Sequence, residues 1–355
     1  MKKTALILAI TLIIAAIPLV GTAANSVYME FVIGSTNYKI NGNTEVMDVA
    51  PIIIDGRTLM PVRAVAEGLG ATVEWDEMLR LVTIERDRVT LRMTIDGTSA
   101  RINNQEVTLD VAPVIIDSRT YMPIRFVAEN LYADVSWTEL TGTVGISYDG
   151  EEKPAMNTYL VDDETELYAV AVKVPVFQGI EDVPFQIALN DSLRDMLVSS
   201  ANEWVKNIDS DWVLPEGIRR YFDTECALRY NKNGFLSAVA MIQYFDGGAH
   251  PNHYSRTFNI DINKLDADVT YDDLFTTGYE SFLLGIVNTR VENSSFGDRA
   301  ELVEHLGVYN LDGENLFITY APSEIAGYAE GFISIAIPLS DLKGMLKPDY
   351  AYLAE

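Results

Sequence analysis

"RTLMPVRAVAEGLGATVEW" spans Arg57–Trp75, and "RTYMPIRFVAENLYADVSW" spans Arg119–Trp137. Working outward from this pair, Asp48–Ile84 aligns with Asp110–Ile146 at a fixed offset of 62, and 22 of 37 positions are identical. Average composition gives roughly two by chance. Ile33 matches Ile95, and Ile40-Asn41 matches Ile102-Asn103, so the repeats span 27–88 and 89–150. This is a tandem duplication.

Within each copy the pattern dictates local structure. "YKINGNTEV" reads as two strands around an Asn-Gly turn. "APIIIDGRTLMP" is extended and broken at Asp55-Gly56, and Pro61 then opens a helix, where its missing N–H costs nothing. Val62, Val65, Ala66 and Leu69 fall on one helical face, as do Ile124, Val127, Ala128 and Leu131. Glycines end the first helix, and two strands follow. The expected unit is β-β-α-β-β.

Arg63 precedes Glu67 by four residues, and Arg125 precedes Glu129. Both pairs run in the weaker helical orientation and oppose the helix dipole. A tertiary role follows for these arginines, with Asp55, Asp117 or nearby carbonyls as expected partners. The alternative for Arg57, Arg63, Arg119 and Arg125 is ligand recognition. Trp75 and Trp137 are expected to plug the core rather than stack on sugars.

The chain has 355 residues, 26 Lys and Arg against 52 Asp and Glu, and a net charge of −26. Such a surface is a poor partner for nucleic acid or anionic lipid and attracts cations. Lys2 and Lys3, the apolar Thr4–Val20 run and the small residues Gly21–Ala24 read as a signal peptide over 1–24. No later run is long enough to span a bilayer, so a secreted or surface-held bacterial protein is expected. The single cysteine, Cys226, cannot form an intramolecular disulfide.

After a polar linker at 151–157 the repeat disappears. Over 158–355 we expect an α+β domain pair with an antiparallel sheet, making the whole chain α+β. A strand over Leu167–Phe177 precedes a helix capped by Asp182, with Phe185, Leu189, Leu193, Met196, Leu197 and Trp204 on its apolar face. Then come a hairpin at Asn233-Gly234, a third strand, helices over Glu280–Asn293 and Arg299–Leu306, two strands, and a closing helix in "LSDLKGML". "YFDGGAHPNHYS" (Tyr244–Ser255) gathers Asp246, His250 and His253 around two glycines. It reads as a tight inter-strand loop. A partner-binding loop is the second reading and a zinc site the third, since no further strong ligand lies nearby.

The repeat motifs Gly-Arg-Thr-x-x-Pro-x-Arg and Ala-Glu-x-Leu-Gly-Ala resemble the stalk-type module named after the copper amine oxidase N-terminal domain. The second copy departs from them at Ser118 and Tyr132. The chain's three His, and an Asn-Tyr followed by Lys39, exclude the oxidase's own catalytic site. "YFDGGAHPNHYSRTFNIDI", Asp273-Leu274-Phe275 and Pro322…Tyr328…Glu330-Gly331 resemble the domain pair of lysozyme-sensing anti-sigma factors, found also before the catalytic domain of peptidoglycan deacetylases. The resemblance implies a non-enzymatic envelope protein whose repeats present a protein- or wall-binding domain. A basic protein such as lysozyme, or peptidoglycan, is the implied partner, and contact is expected at His250, His253, Tyr328 and Glu330. No catalytic residue, metal or cofactor is expected: Gly-x-Ser-x-Gly and His-Glu-x-x-His are both absent. The alternatives are a structural surface protein without a specific ligand, and a hydrolase of wall polymer.

Overall fold

The computed structural model describes residues 26–103, 105–150, 152–209, 212, 214–215, 217–295 and 301–355. The signal segment expected over 1–24 lies outside them. The first repeat forms β1 (Val27–Val32), β2 (Asn37–Ile40), β3 (Asn43–Val46), β4 (Ile52–Ile54), β5 (Arg57–Pro61), α1 (Val62–Gly68), β6 (Thr72–Asp76) and β7 (Leu81–Arg86). The second forms β8 (Val89–Thr94), β9 (Ser99–Ile102), β10 (Gln105–Thr108), β11 (Val114–Ile116), β12 (Arg119–Pro123), α2 (Ile124–Asn130), β13 (Asp134–Thr138) and β14 (Thr143–Tyr148). Each unit thus carries five strands before its helix, because "APIIIDGRTLMP" and its copy close on themselves as the β4–β5 and β11–β12 hairpins.

Neither repeat closes a sheet alone. The sheet orders are β13-β14-β1-β2-β3, β10-β9-β8-β7-β6 and β11-β12-β5-β4, so all three mix strands of both copies. Strand β1 pairs along its length with β14, setting Met29 opposite Ile146 and Phe31 opposite Val144. In the central sheet Met60 faces Met122. One core results, holding Met29, Phe31, Met60, Val65, Met122, Val127 and Ile146 together. The predicted apolar helix faces are the ones buried: Val62, Val65 and Ala66 in α1, and Ile124, Val127 and Ala128 in α2.

The copies diverge where α1 and α2 end. Gly70 takes a left-handed φ of +82° after α1, and its counterpart Tyr132 holds +68° after α2. A bulky residue there is strained by roughly 1–3 kcal/mol. Tyr132 is nevertheless 5% exposed, and Arg86 lies 5.7 Å from its ring centre. Arg86 also sits 4.1 Å over Tyr148 and donates through Nη1 to the Leu131 carbonyl at 2.7 Å. Packing offsets the strain, and one arginine of the first copy locks the second.

The remainder begins with β15 (Ala155–Glu164), β16 (Tyr168–Gln178), α3 (Val183–Lys206), β17 (Arg220–Lys232), β18 (Phe235–Phe245) and β19 (Asn252–Asp261). These strands form a sheet in chain order, antiparallel except where β16 runs parallel to β17. The crossover between that parallel pair contains α3, as parallel strands require. Asp182 caps α3, accepting from Phe185 N at 2.8 Å. Leu189, Leu193, Leu197 and Ala201 of α3 are buried, whereas Met196 points outward.

Next come α4 (Tyr271–Leu274), α5 (Tyr279–Glu292), β20 (Val308–Leu311), β21 (Asn315–Tyr320) and β22 (Ile333–Pro338), the last three forming a small antiparallel sheet. A buried polar chain ties the two sheets together. Ser237 Oγ donates to Asn259 Oδ1 at 2.6 Å, Asn259 Nδ2 to the Tyr309 carbonyl at 2.9 Å, and Leu311 N to Ser237 Oγ at 2.9 Å. Two expected helices are corrected. Of Arg299–Leu306, the described part, 301–306, is irregular, its Glu301 amide bonding the Ile325 carbonyl instead; Arg299 lies outside the described residues. The closing segment forms only a 3-10 turn at Leu339–Leu342, where Leu339 and Leu342 are buried.

Candidate functional site

The open half of the β15–β19 sheet positions the site. Side chains alternate across a strand. Phe222, Ala240 and Ile242 join the buried cluster that includes Leu189 and Leu193 of α3. Tyr221, Asp223, Gln243 and His253 therefore face the other way, and cross-strand register sets Asp223, Gln243 and His253 side by side. Gln243 Nε2 donates to Tyr221 Oη, and the Tyr221 ring stacks on Phe245 at 6.1 Å. Burial raises the Asp223 carboxyl above its ordinary value. Glu225 adds to this, while Lys173 and His253 oppose it.

The loop between β18 and β19 brings in a second wall. Gly247 turns it at φ +108°, where an added Cβ would also lie 2.5 Å from Leu214 Cδ2, so glycine is required there. His250 then stacks on Tyr328 with ring centres 3.7 Å apart and planes at 23°. His250 Nδ1 donates to the Pro251 carbonyl at 2.9 Å, and Tyr328 Oη donates to the same carbonyl. His253 lies 6.2 Å from Tyr328 and meets Phe332 edge-on at 6.4 Å. Glu330 closes the 3-10 turn that Tyr328 opens. Three of the four residues singled out from sequence, His250, His253 and Tyr328, thus meet on one surface, although 75 residues separate His253 from Tyr328, and Glu330 follows in the same turn as Tyr328. Among the described residues no three His, Cys, Asp or Glu side chains converge as a metal ligand set.

The repeat residues are placed differently from expectation. Arg57 pairs with Asp110 at 2.8 Å and Arg119 with Asp48 at 3.1 Å. These are equivalent bonds exchanged between copies; Asp55 and Asp117, the carboxylates expected for Arg63 and Arg125, bind neither of those two. Arg125 Nη1 donates to Glu129 at 2.9 Å and to the Val135 carbonyl at 3.3 Å, while Arg63 is exposed without an ion pair among the described residues, and so is Glu67. Burial raises the Glu129 carboxyl, and Arg125 pulls it back. Trp75 and Trp137 are not core plugs. They are 39% and 42% exposed, because β6 and β13 are edge strands with no neighbour to cover them. Sequence reasoning missed Arg86, whose side chain is only a tenth exposed. Its place directly before the Asp-Arg turn that joins the copies is the only signal it carries.

Comparison with known proteins follows this division. The copper amine oxidase N-terminal domain family matches residues 39–146, and the deacetylase PdaC family matches 161–253. The chain therefore carries a stalk-type repeat domain followed by a PdaC-like domain, and neither match takes in an amine oxidase catalytic domain. Both families are typical of extracellular or envelope proteins. A protein of Brevibacillus choshinensis described as a protease inhibitor is 28% identical over 133 residues, 37% of this chain and 40% of that one. The chain thus spans well under half of that relative. A DUF3298 family member from Bacteroides fragilis aligns with TM-score 0.47 and 16% identity, covering 56% of this chain and 97% of its own. One from Pseudomonas aeruginosa gives 0.42 and 15%, covering 55% and 95%. Among the described residues no helix is long and apolar enough to cross a membrane.

Proposed function

We propose that this chain is a non-enzymatic, extracytoplasmic binding protein of the bacterial envelope. Its repeat domain acts as a stalk, and the face around His250, His253, Tyr328 and Glu330 receives a protein ligand. The observation that carries this reading is the 3.7 Å His250–Tyr328 stack. It fixes an aromatic, half-exposed surface beside Asp223, a carboxylate with no cation bonded to it among the described residues. Aromatic anchors next to a desolvated acid suit a basic protein, and the net charge of −26 steers one toward it. A basic lysozyme is the ligand to test first. The likeness to a protein described as a protease inhibitor favours a second reading, in which the protein ligand is a protease.

The test is calorimetric titration of the chain with a basic lysozyme at low and high salt. Stoichiometric heat that survives high salt and disappears in Tyr328→Ala supports the reading. Heat that vanishes with salt is nonspecific charge attraction and refutes it. In that event a protease titrated against the same two proteins tests the second reading.

A further inference from the structure

Between the repeat domain and the sheet of β15–β19 lies a cleft of about 1110 Å³, walled by parts of β12, α2 and β13 on one side and β17 on the other. The junction beside it is built rather than incidental. Asn130 and Asn157 exchange amide hydrogen bonds of 3.0 and 2.9 Å, and Asn231 Nδ2 donates to the Pro154 carbonyl at 2.6 Å.

The charge on the cleft walls runs against the rest of the molecule. The chain has twice as many acids as bases, 52 to 26, yet the cleft is lined by six bases and four acids. The bases are Arg57, Arg125, Lys153, Lys173, Arg229 and Lys232. All four acids are already engaged: Asp110 by Arg57, Glu129 by Arg125, Asp134 by Lys153 and Glu225 by Lys173. Arg229 and Lys232 are left with no carboxylate partner among the described residues. Arg229 also has a distinct backbone setting. The pairing of β17 with β18 shifts register between Leu228 and Tyr230, so Arg229 is the extra residue of a bulge, a device that re-aims a side chain. A cleft with low-dielectric walls focuses the field of two such uncompensated cations.

Trp137, 42% exposed, lines the same cleft together with Thr158. A pyranose has an apolar C–H face and a rim of hydroxyls, which is the complement of such a wall. We propose that this cleft is a binding site for an anionic oligosaccharide, with Arg229 and Lys232 meeting its acidic groups and Trp137 stacking on a sugar face. Sites for single small molecules occupy about 300–1,000 Å³, so the volume suits several linked sugars rather than one. The site is separate from the His250–Tyr328 surface and stands without it.

The test is titration of the full chain with tetragalacturonate, with maltotetraose as the uncharged probe of equal length and tetra-aspartate as the acidic peptide. Tetragalacturonate is expected to bind saturably, at least tenfold more tightly than either of the others. R229A/K232A should weaken it at least tenfold and W137A at least fivefold. Arg229 and Lys232 are exposed, so the double variant should melt as the parent does. R229E, a charge reversal at the bulge, gives an independent reading and should weaken binding as well. Absence of saturable binding, equal affinity for tetra-aspartate, or an affinity unchanged in both charge variants would overturn the proposal.

Discussion

Separating the two repeats is the perturbation that tests the fold most directly. Met29, Phe31, Met60, Val82 and Ile84 of the first copy are each at most 2% exposed. Their strand neighbours, Ile146, Val144, Met122, Met93 and Leu91, all belong to the second copy. Full burial of such a side chain contributes about 1.5–3 kcal/mol, so the five together contribute roughly 8–15 kcal/mol. Losing half of that costs about 4–8 kcal/mol, against a total stability of only about 5–15 kcal/mol for an ordinary domain and less for one of some 60 residues. Strand β1 would in addition lose its six-residue pairing with β14. A peptide of residues 27–88 should therefore be unfolded as a monomer. Because the copies are so alike, a second molecule of 27–88 can supply the missing strands, so any folded form should be a dimer whose melting temperature rises with concentration. Mixing 27–88 with 89–150 should restore cooperative unfolding. Circular dichroism melts combined with sedimentation equilibrium decide the matter: a folded monomer of 27–88, with a melt independent of concentration, would refute the shared-core argument.

Two further outcomes follow from particular side chains. Arg86→Ala should cost about 2–3 kcal/mol in urea unfolding, since it removes a charged hydrogen bond to the Leu131 carbonyl and two cation–ring contacts, whereas Arg63→Ala should stay within about 0.5 kcal/mol. Equal effects would mean that Arg86 is not the tie between the copies. Burial pushes the Cys226 thiol up to about 12, so the nucleophilic thiolate is scarce at neutral pH and increases as pH rises toward that value. Native protein should react with iodoacetamide at pH 8 far more slowly than urea-unfolded protein, and comparable rates would contradict the raised thiol pKa.

Much of the candidate site could be read from the chain. The glycine pair at 247 and 248 and the clustered histidines marked a tight loop, and the family resemblance joined that loop to Tyr328 and Glu330. Asp223 and Gln243 could not be found this way. They reach His253 only through cross-strand register, which the three strand sequences leave open. The arginines show the same limit. The reversed Arg–Glu order pointed to a tertiary role for Arg63 and Arg125, yet Arg125 pairs with Glu129 along its own helix and Arg63 has no ion pair among the described residues, while the carboxylates that Arg57 and Arg119 bind lie in the opposite copy.

The sequence by itself determined the duplication, the short helices with their buried faces, the α+β class and the excess of acid. Each of these is carried by periodicity or composition, which act over a few residues or over the whole chain. The tertiary structure alone decided that the copies exchange strands into one core, that Trp75 and Trp137 sit on uncovered edges, and that Arg229 and Lys232 face a cleft without counter-charges. The physical reason is that a strand's pattern specifies which face it buries but not which strand lies beside it. Hairpins within a copy and pairings between copies satisfy the same alternation, and only the mutual burial of both copies separates them.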